Sequence, residues 1–242
     1  MVLSDITGRG FIMNKEINKI NVPRGYPPEE GCYLRGNDNS PVAVIVILKW
    51  RREETPVSIE QLVRVGVESG AALSGTLQTE NVGLEKVICN VIANPNIRYI
   101  IVCGPESPGH FVGETINALY KNGLDKDKRI VGTEAPAPLL FNIPTEWVDR
   151  FVKQTKMIDL VNEGSPEVIK EAVWSCYQEK PTKFRGYELW DMGAYDAEPI
   201  CGKITWRVTN PAYAPKDKSE QEALEKMQAL IKKLKERGKN KN

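Results

Sequence analysis

"IRYIIVCGPESPGHFVGETINALY", Ile97 to Tyr120, is the stretch that decides the fold. Its first eight residues are mostly apolar and rich in β-branched side chains, the pattern of a strand covered on both faces. Its last nine set Val112, Ile116, Leu119 and Tyr120 along one side of a helix, with Gly123 just beyond as a left-handed cap. Between them "GPESPGH" is a loop of Gly, Pro and Ser, and it carries His110, the only histidine of 242 residues. A covered strand that passes through a short loop into an amphipathic helix is half of a βαβ unit.

The same alternation extends both ways. "PVAVIVIL" (Pro41–Leu48) reads as a buried strand, followed by the polar loop "KWRREETP". "VSIEQLVRVGVESG" aligns Ile59, Leu62, Val63 and Val67 on one helical face. A helix over Asn81–Asn94 carries Leu84, Val87, Ile88, Val91 and Ile92, and "NPN" stops it. Downstream, "RIVGT" and "MIDLV" read as strands. "PTEWVDRFVKQ" reads as a helix with Pro144 at its first turn, and "SPEVIKEAVWSCYQE" as one opened by Ser165 and Pro166. Trp147, Phe151 and Trp174 fall on helical faces and are read as core. The prediction is an α/β fold: a Rossmann-like, mainly parallel sheet flanked by helices.

The flanks differ. Residues 1–40, with "VPRGYPPEEG" and "RGNDNS", read as a mostly irregular arm. After residue 180, "YELWDMG" and "GKITWRVTN" read as a β-ribbon, the second alternating Ile204, Trp206 and Val208 with polar residues. "SEQEALEKMQALIKKLKER" opens on the capping box Ser219 and Glu222 and forms a Lys-rich amphipathic helix. The expected organisation is an arm (1–40), a Rossmann-like domain (41–180) and a C-terminal ribbon and helix (181–242).

Composition narrows the function classes. Lys and Arg number 33 against 32 Asp and Glu, so the chain as a whole has no nucleic-acid signature. Five scattered cysteines form no CxxC, and the longest apolar run is far below the roughly 18 residues of a membrane span. Reduced thiols in a cytoplasmic protein without a membrane span are the expectation. Neither GxGxxG nor GxxxxGK[ST] is present, which argues against a nucleotide-binding enzyme.

Ligands of open α/β sheets bind beyond the carboxyl ends of the strands, where the His110 loop lies. Gly104 and Gly109 allow close backbone approach, while Pro105 and Pro108 stiffen the loop. There is no GxSxG elbow for a Ser–His pair, and zinc would need ligands that Cys103 and nearby carboxylates do not supply at zinc spacing. A macrocycle that fills four metal positions needs one axial nitrogen, so haem or a corrinoid suits a single imidazole. There is no CxxCH for covalent haem. "HxxG" (His110, Gly113) is reminiscent of the DxHxxG element of cobalamin-binding domains, with Pro108 in the place of Asp. Glu114, one turn on, is a candidate to orient the ring. Cys103, at a strand end, reads as a small buried apolar residue.

"TENVGLEKVI" and "NPNIRYIIVCGPESPGH" carry a wider resemblance, which runs from about Pro41 to Glu179. The chain resembles the corrinoid-carrying A subunit of tetrahydromethanopterin S-methyltransferase. That resemblance implies a cobamide (cobalamin or 5-hydroxybenzimidazolyl cobamide) on the Rossmann-like domain, with His110 as cobalt ligand and catalytic residue. Gly104, Pro105, Glu106, Gly109 and Gly113 would line the cofactor, with Thr79, Glu80 and Asn81 from the turn before the second helix and Gly132 and Thr133 from "GTEAPAP". It implies a role in methanogenic one-carbon metabolism: a methyl group carried on cobalt from a methyl-pterin, of the tetrahydromethanopterin or tetrahydrofolate type, to an acceptor such as coenzyme M. The partners would be an acceptor methyltransferase and a pterin-dependent methyltransferase subunit. Membrane-bound members of the family end in a spanning helix, whereas this chain ends in a ribbon and a Lys-rich helix, so a soluble homologue without the anchor is expected. The rival expectation is a corrinoid-sensing or partner-binding module that has lost methyl transfer.

Overall fold

A computed structural model describes residues 17–204, together with positions 218, 221–222, 224–226 and 228–229, which are helical. In chain order the elements are β1 (Tyr33–Arg35), β2 (Val42–Ile47), α1 (Val57–Glu68), β3 (Leu73–Leu77), α2 (Val82–Ile92), β4 (Tyr99–Gly104) and α3 (Val112–Asn122). Then come α4 (Thr145–Gln154), β5 (Lys156–Val161), α5 (Pro166–Cys176) and a hairpin of β6 (Thr182–Phe184) and β7 (Tyr187–Leu189). The five-stranded sheet runs β1-β3-β2-β4-β5. β3, β2, β4 and β5 are mutually parallel, and β1 closes one edge antiparallel to β3.

Alternation within the central strands builds two cores. Ala43, Ile45, Ile47, Ile100 and Val102 face α2, α3 and α4, packing with Leu84, Ile88, Ile116, Leu119, Val148 and Phe151. Val42, Val44, Val46, Ile101 and Cys103 face α1 and α5, against Ile59, Leu62, Ile169 and Val173. Every residue of β2 and β4 is buried, as the continuous apolar runs require. The chain leaves β2 toward β3 on one side and later returns to β4 on the other. The loops after β2 and β4 therefore diverge at their carboxyl ends, which is the switch point where such sheets bind ligands.

Several expectations need correction. β3 is a sheet strand, but "LSGTL" reads poorly as one because Ser74, Gly75 and Thr76 interrupt its apolar residues. They suit their places: Gly75 lies against the backbone of β1, and Ser74 sits beneath Gly66 of α1, where a β-carbon would come within 2.4 Å of its hydroxyl. "RIVGT" forms no strand; it makes only isolated bridges, Leu124 with Ile130 and Arg129 with Leu139, because β5 already occupies that edge of the sheet. The stretch read as an irregular arm contributes β1. Pro144 is the N-cap of α4 rather than a residue of its first turn. Trp174 is 56% exposed, since Ile169, Ala172, Val173 and Cys176 form the buried stripe of α5 and leave Trp174 outside it.

The ribbon is also different. It is the hairpin β6–β7, turning at Arg185–Gly186, while Gly202–Ile204 carries no regular structure. The expected strand beyond Ile204 and most of the C-terminal helix, with its Ser219 cap, lie outside the described residues. Among the described residues no helix is long and apolar enough to cross a membrane.

Candidate functional site

Three loops meet around His110. The first is the turn from β3 into α2. Here Thr79 Oγ1 accepts from the Gly83 amide at 3.1 Å, and Asn81, the N-cap of α2, donates from Nδ2 to the Ala137 carbonyl at 3.3 Å. The second is the Gly104–Phe111 loop between β4 and α3. The third, 133–137, runs along α3: Thr133 Oγ1 lies 3.1 Å from Thr115 Oγ1, and the Glu134 amide donates to Glu114 at 2.6 Å.

Glu80 ties the three together. Its side chain is 1% exposed, yet its carboxylate meets His110 Nδ1 at 2.8 Å and accepts from the Ala137 amide at 3.1 Å. A carboxylate only accepts, so Nδ1 carries the proton of this contact, and in the neutral ring the lone pair lies on Nε2. The His110 side chain is 49% exposed, and Nε2 has no hydrogen-bond partner among the described residues. The imidazole is thus anchored at one nitrogen and open at the other, the arrangement in which a carboxylate orients a metal-bound histidine. Glu114, the candidate for that role, is engaged with the Glu134 amide instead.

The loop itself is held from below. Glu106 spends both carboxylate oxygens on the start of α3, accepting from the Gly113 amide at 3.1 Å and the Glu114 amide at 2.9 Å, as well as from the Ser107 amide at 2.8 Å. A carboxylate there also meets the positive end of the helix dipole. The Glu106 amide in turn donates to Asn162 Oδ1, after β5, at 3.0 Å. Glu106 is therefore a cap that shapes the loop, and its oxygens do not point at a ligand. Gly104 and Gly109 adopt positive φ (82° and 87°), which their lack of a side chain permits, and Pro105 lies partly buried between them. Gly113 is required by space, because a β-carbon would lie 2.6 Å from Val161 and 2.9 Å from Ile47.

Gly132 packs against the Asn122 side chain, from the C-terminal end of α3, one residue before Thr133. Thr133 reaches the first turn of α3 through Thr115. Two residues that were not singled out in the sequence belong here, Ala137, within the "GTEAPAP" stretch expected to face the cleft, and Asn162. Both act through hydrogen bonds across 57 and 56 residues, and no local pattern announces them. Cys103 is fully buried, and burial pushes its thiol up to about 12, so it stays a protonated packing group.

The donor set suits a group that needs one nitrogen from the protein. Among the described residues no three His, Cys, Asp or Glu side chains lie together as a set for an ion. A single imidazole with an anchored Nδ1 and an open Nε2 fits a metal already held by a macrocycle.

Fold and site together define an open, doubly wound α/β protein with a half-exposed histidine, anchored by a buried carboxylate, at its switch point. The chain belongs to the family described as the A subunit of tetrahydromethanopterin S-methyltransferase, whose model matches residues 19–205. That match runs past Glu179, where the sequence alone ends the resemblance, and takes in the hairpin. The A 2 subunit of this enzyme from Methanothermobacter marburgensis is 37% identical over 190 residues, covering 78% of this chain and 91% of that protein. The A subunit from Methanosphaera stadtmanae is 37% identical over 184 residues, covering 76% of this chain and 65% of that one. A protein named as the A subunit of a putative methyltransferase, Mtx, from Methanosarcina acetivorans, is 38% identical over 152 residues, covering 63% and 70%. The chain is a methyltransferase subunit, and its family implies partner subunits.

Proposed function

We propose that the protein is a corrinoid-carrying methyltransferase subunit in which His110 Nε2 would supply the protein's nitrogen to cobalt. When bound, a cobamide supplies a metal centre able to accept a methyl group from a methyl-pterin and to release it to an acceptor such as coenzyme M. The observation that carries this reading is the 2.8 Å contact between His110 Nδ1 and the buried Glu80 carboxylate. Glu80 fixes the tautomer, places the lone pair on Nε2 and makes the imidazole a better donor. Gly104, Pro105 and Gly109 hold the ring at the mouth of the switch point, while Thr79, Asn81 and Thr133 edge the same space. Gly113 lets α3 approach β5, and Glu106 pins the loop. Partner subunits bring the methyl donor and acceptor, and the Rossmann-like body with its hairpin is the platform they visit. The carrier works in the cytoplasm.

Electron paramagnetic resonance of the cobalt(II) complex tests the assignment. Splitting from one nitrogen nucleus should change when the protein alone is labelled with nitrogen-15, and His110→Ala should abolish it. A spectrum indifferent to the label would assign the nitrogen to the cofactor's own base and overturn the ligand role.

A further inference from the structure

A cavity of about 310 Å³ lies between the sheet and α2, beside the β1 edge, and His110 is not among the residues that line it. It falls at the small end of the roughly 300–1,000 Å³ typical of small-molecule pockets, and its lining is mainly apolar with a few polar groups, as in such pockets. Ile45, Leu77, Val87 and Val91 form its walls, and the Tyr33 ring contributes from β1. At the rim stands Arg52, from the loop after β2. Its exposed guanidinium makes no ion pair or side-chain hydrogen bond among the described residues, and with Lys86 and Glu30 in the same lining the cavity carries two cations against one carboxylate. Thr79 lines the same cavity and directly precedes Glu80 in the chain.

We infer that this cavity is a second ligand site, which takes a flat aromatic group bearing an anionic head. The ring lies between the sheet and α2, and the anion pairs with Arg52, whose planar fork suits phosphate or carboxylate. Such a ligand has two sources, a free aromatic anion or the nucleotide end of a corrinoid seated at His110. The inference rests on the cavity and Arg52, not on the His110 assignment.

Cys32 lines the cavity and is partly exposed, so it reports occupancy. Cys89, Cys103 and Cys176 are buried, which leaves Cys32 as the one accessible thiol once the exposed Cys201 is replaced in Cys201→Ser. Its rate of alkylation by iodoacetamide, read by mass spectrometry on the full chain, is the measurement. Dimethylbenzimidazole ribotide, flavin mononucleotide, cobalamin and cobinamide (the corrin without its nucleotide) are the probes. At least one aromatic phosphate should slow the alkylation, and Arg52→Glu should weaken that protection by roughly tenfold or more, the scale of one charge-assisted hydrogen bond. Protection by cobalamin but not cobinamide would name the corrinoid's own nucleotide as the source. Protection by a free nucleotide alone would name a separate molecule. Equal rates with and without every probe, slow alkylation with no probe present, or protection indifferent to Arg52→Glu would each overturn the site. The His110 assignment fails separately, by the cobalt spectrum, and neither failure entails the other.

Discussion

At the scale of the residue, the chemistry turns on which carboxylate holds the imidazole. Helical spacing nominates Glu114, four residues from His110, but that side chain is engaged with the Glu134 amide. Glu80, 30 residues away, holds Nδ1. The sequence shows His110 as a lone candidate and Glu80 as a neighbour of the site, yet not their pairing, because the turn that aims Glu80 depends on how β3 sits beside β2. Glu80→Gln tests the pairing. The carboxylate accepts from both the His110 ring and the Ala137 amide, and an amide side chain has only one acceptor oxygen for those two donors. Corrinoid affinity, followed by visible absorbance, should fall about 10–100-fold, as for other partners of metal-bound histidines. Unchanged affinity would show that Glu80 does not position the ligand. Gly113→Ala tests steric necessity. Its β-carbon would meet Val161, Glu106 and Ile47 at 2.6–2.9 Å, so the overpacked start of α3 should lose about 1–3 kcal/mol in denaturant unfolding. An unchanged midpoint would mean that α3 can shift freely.

At the scale of the element, the sheet was legible in the covered strands β2 and β4 and in the half-covered β5, and obscure at β1 and β3. β2 and β4 are continuous apolar runs, and burial dictates both sequence and structure there. β3 escapes notice because its interior residues answer to particular neighbours, Gly75 to the β1 backbone and Ser74 to Gly66. "RIVGT" misleads in the opposite direction: its β-branched pair Ile130 and Val131 is strand-like, but the sheet ends at β5. The start of α3 repeats the lesson, since Phe111, at its N-cap, offers no side-chain acceptor and Glu106 supplies one from within the preceding loop. Glu106→Ala should therefore behave as loss of a helix cap, lowering stability by about 0.5–2 kcal/mol. It should also loosen the His110 loop, raising backbone amide exchange at 107–113 above that at β4. Uniform exchange in the variant and the parent would contradict the capping role.

At the scale of the molecule, residues 182–204 pack into the core of the domain. Phe184 and Leu189 are each 2% exposed within the α1/α5 core, and Ile204, 5% exposed, joins the other. The Tyr99 hydroxyl donates to the Trp190 carbonyl at 3.0 Å, Arg98 donates to the Gly193 carbonyl at 3.1 Å, and Glu29 accepts from the Ile204 amide. The segment thus crosses both faces and ties the first described residues to the last. The family match agrees in extent, ending at residue 205. The change in composition near residue 180 suggested a boundary because short strands and loops replace βα units, but composition does not report what a loop covers. A chain ending at Glu179 should lose about 5–9 kcal/mol from those three side chains alone. That is comparable to the whole stability of a typical domain, so it should unfold or melt far below the parent. A chain ending at Ile204 keeps every one of these contacts and serves as its control. Thermal unfolding by circular dichroism separates the two, and a cooperative transition near the parent's midpoint in the chain ending at Glu179 would show that the body folds without its strap.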